Sequence, residues 1–323
     1  MLVVSGPNLT LDRTLTIDEL RPGEVLRFTS ASVTGGGKGV NVARVARALG
    51  KPARLVCLAP GRTGAAAAEL LRDEGLDVVD VSVPGEVRVA AIVLETAGRV
   101  TVLNEPGPEL PVGSWDEYER AVDAALAGTR CLACSGSLPP GAPRDGYARL
   151  AEIARRRGAV SLVDAAGAVL EAALPAADVV TPNLAEAENV LGAGTPDGIQ
   201  PPAAEARQRA LRTAGALAAR GARTAVVTAG EAGVAVAEGG EETWYPAPPA
   251  RTVRNPVGAG DSFAAGLALG LADGAPLADA IRAGLGAAAA SVETDVAGLV
   301  DPERVRDLVA AAARLGPHVR VAP

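Results

Sequence analysis

Asp261 closes the run Asn255-Pro-Val-Gly258-Ala259-Gly260-Asp261, directly ahead of a long Ala- and Leu-rich stretch that reads as a helix. Glycines let a backbone approach a ligand closely, and the unpaired N–H groups of a first helical turn attract negative charge together with the helix dipole. Such a turn can cradle the charge that develops on a transferring phosphoryl group, with the amides of residues 258–261 (Gly258, Ala259, Gly260 and Asp261) as the anion hole. The positive end of the helix is expected to keep the Asp261 carboxylate ionised, able to take a proton from a hydroxyl. The tetrapeptide alone fits an aspartate that caps a helix behind a tight turn equally well.

A second glycine cluster, Thr34-Gly35-Gly36-Gly37-Lys38-Gly39-Val-Asn41, also runs into a helix. It is not a phosphate-binding GxxxxGK[ST] loop, because Ser32 and Gly39 stand where that pattern needs Gly and Ser or Thr. Nor does it match the dinucleotide fingerprint, since position 40 is Val40. Lys38 and Lys51 are the only lysines among 31 basic residues, which makes a charge in this loop conspicuous.

Other chemistries are closed by counting. The sole histidine is His318, so Ser-His, Cys-His and multi-histidine metal chemistry have no source. Cys57, Cys131 and Cys134 lie in apolar runs and read as buried thiols, despite the CxxC spacing of the last two. A net charge of -7 and 2% aromatic residues argue against a nucleic-acid surface and leave small-molecule chemistry as the expectation. No leader resembling a signal peptide and no apolar run long enough to span a bilayer is evident, so a cytoplasmic protein without a membrane partner is expected.

The elements that must position these motifs follow an alternating pattern. Short β-branched apolar runs at 54–59, 130–135, 159–164, 177–181 and 223–229 are separated by longer stretches of helical period. Strands apolar on both faces belong in a parallel sheet covered by helices, where ligands sit beyond the strands' C-terminal ends. Two stretches, about 10–33 and 86–105, lack intervening helices and read as a small antiparallel sheet standing off the main body, able to cover a pocket. The Pro-rich segment 246–256 reads as an ordered loop, so the 323 residues are expected to form one α/β domain with a lid.

The two glycine motifs together resemble those of the PfkB (ribokinase-like) family of carbohydrate kinases. Further matching pieces occur in family order: Asp12-Arg-Thr14, Asn104-Glu-Pro-Gly-Pro108, Ser135-Gly-Ser137-Leu-Pro-Pro-Gly141, Pro182-Asn183-Leu-Ala-Glu186 and Val227-Thr228-Ala-Gly230-Glu-Ala-Gly233. Within the family the chain is most similar to the 1-phosphofructokinase and tagatose-6-phosphate kinase subgroup, through Leu20-Arg-Pro-Gly-Glu-Val25, the Lys38 loop and Asn104–Glu109. The resemblance implies a three-layer α/β/α ribokinase-like fold and ATP-dependent phosphorylation of a ketohexose phosphate, with Asp261 as base and ATP and Mg²⁺ as cosubstrate and cofactor. A kinase for an unphosphorylated sugar or nucleoside is the alternative, and a catalytically silent sugar-phosphate binder a more distant one.

The resemblance also assigns roles. Asp12, Gly36, Gly37, Asn41 and Ser137 would hold the sugar, and Lys38 and Arg88 its phosphate, with Arg27 a weaker candidate. Asn183, Thr228, Gly230, Gly233, Gly258 and Gly260 would hold ATP, with residues 288–291 beside the adenine, and Asn183 with Glu186 would act on Mg²⁺ through water. A homodimer through the lid is the implied assembly. The sequence departs from the subgroup at Asn8-Leu9, Pro256 and Thr181, and at Val87-Arg88-Val89-Ala90, where the arginine lacks its usual polar neighbours.

Overall fold

The computed structural model describes residues 1–193 and 201–321. The chain opens with β1 (Leu2–Ser5), leaves the main body through β2 (Thr10–Ile17) and β3 (Ser30–Gly36), and returns in α1 (Lys38–Ala48). Then follow β4 (Ala53–Pro60), α2 (Gly61–Asp73) and β5 (Asp77–Val83), and a second excursion, β6 (Arg88–Glu95) and β7 (Val100–Asn104). The alternation resumes with α3 (Ser114–Ala125), β8 (Cys131–Ser135), α4 (Gly146–Arg156), β9 (Val160–Asp164), α5 (Gly167–Ala173), β10 (Val179–Val180), α6 (Leu184–Val190), α7 (Ala203–Ala219) and β11 (Thr224–Thr228). A hairpin, β12 (Gly233–Glu238) and β13 (Glu241–Pro246), precedes α8 (Ala259–Ala272), α9 (Leu277–Ser291), α10 (Pro302–Leu315) and β14 (His318–Val321).

Ten strands form the main sheet in the order β14-β13-β12-β11-β10-β9-β8-β1-β4-β5. From β5 to β11 every pairing is parallel, and β12, β13 and β14 extend the edge antiparallel. The central strands are apolar on both sides because helices cover both faces. Leu2, Leu55, Leu162 and Val226 pack with α1, α8, α9 and α10, while Val3, Val56, Val163 and Val227 pack with α3, α4, α6 and α7. Leu2, Leu55 and Leu162 are 0% exposed, and each such side chain contributes about 1.5–3 kcal/mol on burial. The five expected strand runs correspond to β4, β8, β9, β10 and β11, with β10 cut to two residues ahead of Pro182, which has no N–H to extend a ladder.

The small sheet has the order β3-β2-β6-β7. It corrects the expectation of a wholly antiparallel lid: β2–β3 and β6–β7 are antiparallel, but the central β2–β6 pair is parallel, Asp12 lying opposite Ala90. The cause lies in the main sheet. β1 and β5 run in the same direction, so the strands that leave from their C-terminal ends depart in the same direction too. The same edge carries the ends of β8, β9, β10 and β11, which gathers the loops after Ser5, Ser135, Asp164, Val180 and Thr228 under the lid.

Candidate active site

Gly258 caps α8 in the left-handed region (φ 83°), where an added Cβ would lie 2.9 Å from the Ala297 methyl. The N–H of Ala259 reaches the Pro256 carbonyl at 3.4 Å, whereas those of Gly260 and Asp261 have no acceptor among the described residues. A Cβ on Gly260 would meet nothing within 4 Å, so this end of the helix is open to a ligand. The two free donors make the turn a fit for an anion.

Asp261 lies in the first turn of α8 but does not cap it. Its Oδ2 instead accepts a hydrogen bond from Asn41 Nδ2 at 2.8 Å, tying α8 to α1, which settles the capping alternative against a purely local role. Its charge differs from the expectation of a firmly ionised carboxylate. Burial, with Asp261 only 6% exposed, and then the nearby Asp164 push its pKa up to about 7, against the opposing effects of Asn41 and Lys38. Helix-end stabilisation is outweighed by desolvation and a like charge. A carboxylate poised near neutrality is a better proton acceptor than a strongly acidic one.

Lys38 begins α1, and its ammonium lies 3.7 Å from Asp164 Oδ2 and 3.7 Å from Glu186 Oε1. Asp164 drives its pKa upward, with Glu186 and Asp261 adding to that effect against burial. Asp164 ends β9, is 5% exposed, and accepts from Ser135 Oγ at 3.1 Å. Glu186 is held by a reciprocal cap at the start of α6: its N–H donates to Asn183 Oδ1 at 2.9 Å, and the Asn183 N–H donates to Glu186 Oε2 at 2.9 Å. One Glu186 oxygen thus orders the helix end while the other faces Lys38. Asn183 also forms a parallel bridge with Thr228.

At the lid side, Gly36 lies against the Asp12 carboxylate, which a Cβ there would push out of its present position. Burial raises the Asp12 pKa, opposed by its hydrogen bond from Thr10 and by Arg44 and Arg88. Arg88 donates from Nη2 to the Asn8 carbonyl at 3.2 Å, while its Nε is buried without a partner among the described residues. Asn8 Nδ2 donates to Ser137 Oγ at 2.9 Å. These groups surround a cleft of about 410 Å³ lined by Gly36, Gly37, Lys38, Arg88, Ser137 and Glu186, among others.

The cleft thus joins Gly36, Gly37, Lys38, Arg88, Ser137 and Glu186, whereas Asp12, Asn41 and Asp261 stand outside its lining, Asn41 and Asp261 bonded to each other and Asp12 to Thr10. Thr228, Gly230 and Gly233 form a turn beside Asn183, closed by the Ala229 N–H on the Gly233 carbonyl at 2.8 Å, and do not line the cleft itself. Residues 288–291 finish α9 outside that lining, and Arg27 lines a separate depression in the lid with Asp18, Glu19 and Arg21. From the sequence, Asp164 goes unnoticed, and Ser135 and Asn8, though within the quoted segments, receive no role at the site. An acid at the end of an apolar run, as in Val160-Ser-Leu-Val-Asp164, was the available signal.

Comparison with known proteins agrees with this arrangement. Residues 4–304 match the model of the pfkB family carbohydrate kinases. The chain is 33% identical over 312 residues to the 1-phosphofructokinase of Xanthomonas campestris pv. campestris, covering 94% of this chain and 95% of that protein. It is 30% identical over 290 residues to the ATP-dependent 6-phosphofructokinase isozyme 2 of Mycobacterium tuberculosis, covering 89% of this chain and 82% of that one. The structure of phosphofructokinase-2 from Escherichia coli in complex with fructose-6-phosphate superimposes with a TM-score of 0.83 at 26% identity, over 97% of this chain and 99% of that one. With its fold, its open helix end and its cleft accounted for together, the chain belongs to the pfkB family and is an ATP-dependent carbohydrate kinase.

Proposed function

We propose that the enzyme transfers the γ-phosphoryl group of ATP in line to a hydroxyl of a ketohexose phosphate, such as fructose 1-phosphate, fructose 6-phosphate or tagatose 6-phosphate, to give a bisphosphate. The observation that carries the substrate class is Arg88, a guanidinium in the cleft whose buried Nε has no partner among the described residues. Arg88 feels the Asp12 carboxylate but forms no ion pair with it, and a sugar's own phosphate would supply a partner in a geometry that arginine matches. The relatives' names support a phosphofructokinase activity and divide between the 1- and 6-phosphate types.

In this reading Asp261, oriented by Asn41, accepts the hydroxyl proton as the new O–P bond forms. The bond from the γ-phosphorus to the bridging oxygen breaks, and its electron pair leaves with ADP. The N–H groups of Gly260 and Asp261, presented by the turn through Gly258 and Ala259, stabilise the charge on the phosphoryl oxygens. Asp12, Gly36, Gly37, Asn41 and Ser137 hold the sugar, and Lys38 stands between its site and the acids. Asn183, Thr228, Gly230 and Gly233 face the nucleotide. The lid excludes water that would compete for the phosphoryl group.

Mg²⁺ fits the donor set in a sparse form. Asp164 and Glu186 flank a position now taken by the Lys38 ammonium, and Asn183 Oδ1 is spent on its cap. Among the described residues there is no group of three or more His, Cys, Asp and Glu side chains that could hold a metal by themselves. Two hard carboxylates plus water and phosphate oxygens are the usual surroundings of Mg²⁺, which when bound would neutralise phosphate charge. Assembly as a homodimer through the lid is supported by Val33, Val100, Val102 and Leu103, all exposed on its strands.

The test is ADP formation with Mg-ATP across a panel of the three phosphosugars and the corresponding free sugars. Turnover confined to a phosphosugar upholds the proposal. Turnover on free sugars alone would turn it to the unphosphorylated class, and ligand binding without ADP would reject catalysis.

A further inference from the structure

Thr181 is 4% exposed, and its Oγ1 is buried without a hydrogen-bond partner among the described residues. Its backbone N–H is satisfied by the Val163 carbonyl at 2.9 Å, so only the hydroxyl is left over. The register of β9 and β10 pairs Leu162 with Val179 and Val163 with Val180, and the next step sets Thr181 beside Asp164. Side chains alternate along a strand. Leu162 and Val179 both belong to the core layer beneath α8, so Asp164 and Thr181 share the sheet face that looks toward the helix bearing Asp261. Two residues further on, Asn183 starts the helix whose Glu186 faces Lys38.

Thr181 is thus flanked by the acid that Lys38 touches and by the turn assigned to the nucleotide, yet it bonds to neither. Valine would occupy the same volume without the desolvation cost of an unpaired hydroxyl. An expense of this kind at the catalytic edge, with no structural return, marks a group reserved for a bound state.

We propose that the Thr181 hydroxyl is a reserved hydrogen-bonding position that fixes Asp164 when the nucleotide and its metal claim the carboxylate now held by Lys38. It is a positioning residue, acting through Asp164, and the inference rests on the kinase reading above.

The experiment compares wild type, Thr181→Val and Thr181→Ser by thermal melting without ligand and by calorimetric titration with a nonhydrolysable ATP analogue, with and without Mg²⁺. Thr181→Val should melt at or above the wild-type temperature and bind the analogue with Mg²⁺ roughly fivefold to tenfold more weakly, the worth of one hydrogen bond. Its affinity without Mg²⁺ and its KM for the phosphosugar should be unchanged, and Thr181→Ser should restore binding. Unchanged Mg²⁺-dependent affinity in Thr181→Val overturns the proposal, as it would if a fixed water already satisfied the hydroxyl. A lower melting temperature with equal loss of affinity in both conditions also overturns it, in favour of a packing role. Wild-type protein that binds no nucleotide in either condition would instead sink the kinase reading.

Discussion

In the main sheet β1 and β8 are buried at every position, whereas β3 exposes five of its seven residues and β7 four of its five. The main sheet is fixed by packing on both faces, and it presents Asp164 and Thr228 from strands, and Thr181 just past the end of one, that cannot shift without disturbing two core layers. The lid sheet has little burial to resist movement. It brings Asp12, which accepts a hydrogen bond from Thr10 of its own strand, and Arg88, which donates to the Asn8 carbonyl in the loop after β1. On the proposed reading the base belongs to the well-packed body, while two of the groups assigned to the substrate, Asp12 and Arg88, belong to the sheet that can adjust. That division can be broken or sharpened by experiment.

The largest expected effect is on the body. Asp261→Asn keeps the shape and removes the base, so kcat should fall by roughly 10²–10⁴ with the phosphosugar KM little changed, as steady-state kinetics would show. Near-native turnover would leave the rigid half without its assigned role. Arg88→Ala tests the lid: KM for the phosphosugar should rise about 10–100-fold, the range expected for a charge-assisted contact, while kcat is largely kept. A kcat loss at constant KM would erase the distinction between the two sheets.

The pH dependence probes what the body sacrifices. The Asp261 pKa, raised from 3.8 to about 7, means that the native state is penalised as pH climbs through that interval, because the unfolded chain ionises first. Wild type should therefore lose stability between about pH 4 and pH 7 relative to Asp261→Asn, on the order of 4 kcal/mol, and melting curves at pH 4 and pH 8 measure it. In the free enzyme kcat/KM should fall below about pH 7, as Asp261 takes up a proton. The smallest kinetic effect is expected from Leu103→Asp, on the 62% exposed edge of the lid. If the lids pair, sizing chromatography should show the dimer giving way to monomer with kcat retained.

What could be read from residue order alone follows from the same contrast. The runs at 54–59 and 130–135 announced β4 and β8 because burial on both faces demands uninterrupted apolar side chains. The β12–β13 hairpin is not among the expected strands, although Gly239-Gly240 marks its turn and Val234-Ala-Val-Ala237 is an unbroken apolar run, buried throughout. The parallel pairing of β2 with β6 had no local signal, being dictated by the directions of β1 and β5. At the site, glycines and the Asp261 motif were visible as motifs. The charge state of Asp261 was not, because it depends on an acid 97 positions earlier in the chain and on a depth of burial that no short pattern encodes. Asp164 escaped notice for the same reason: alone it is one acid among 38.

The parallel pairing at the centre of the lid also bears on how such an enzyme can diversify. Each hairpin is strung between main-sheet elements, β2–β3 between β1 and α1 and β6–β7 between β5 and α3. Either can be lengthened, trimmed or exchanged by insertion and deletion at two short junctions, with no change in the register of the ten-stranded sheet. The lid can then change in two cassettes while the Gly258–Asp261 turn at the head of α8, the proposed phosphoryl-transfer site, is left untouched.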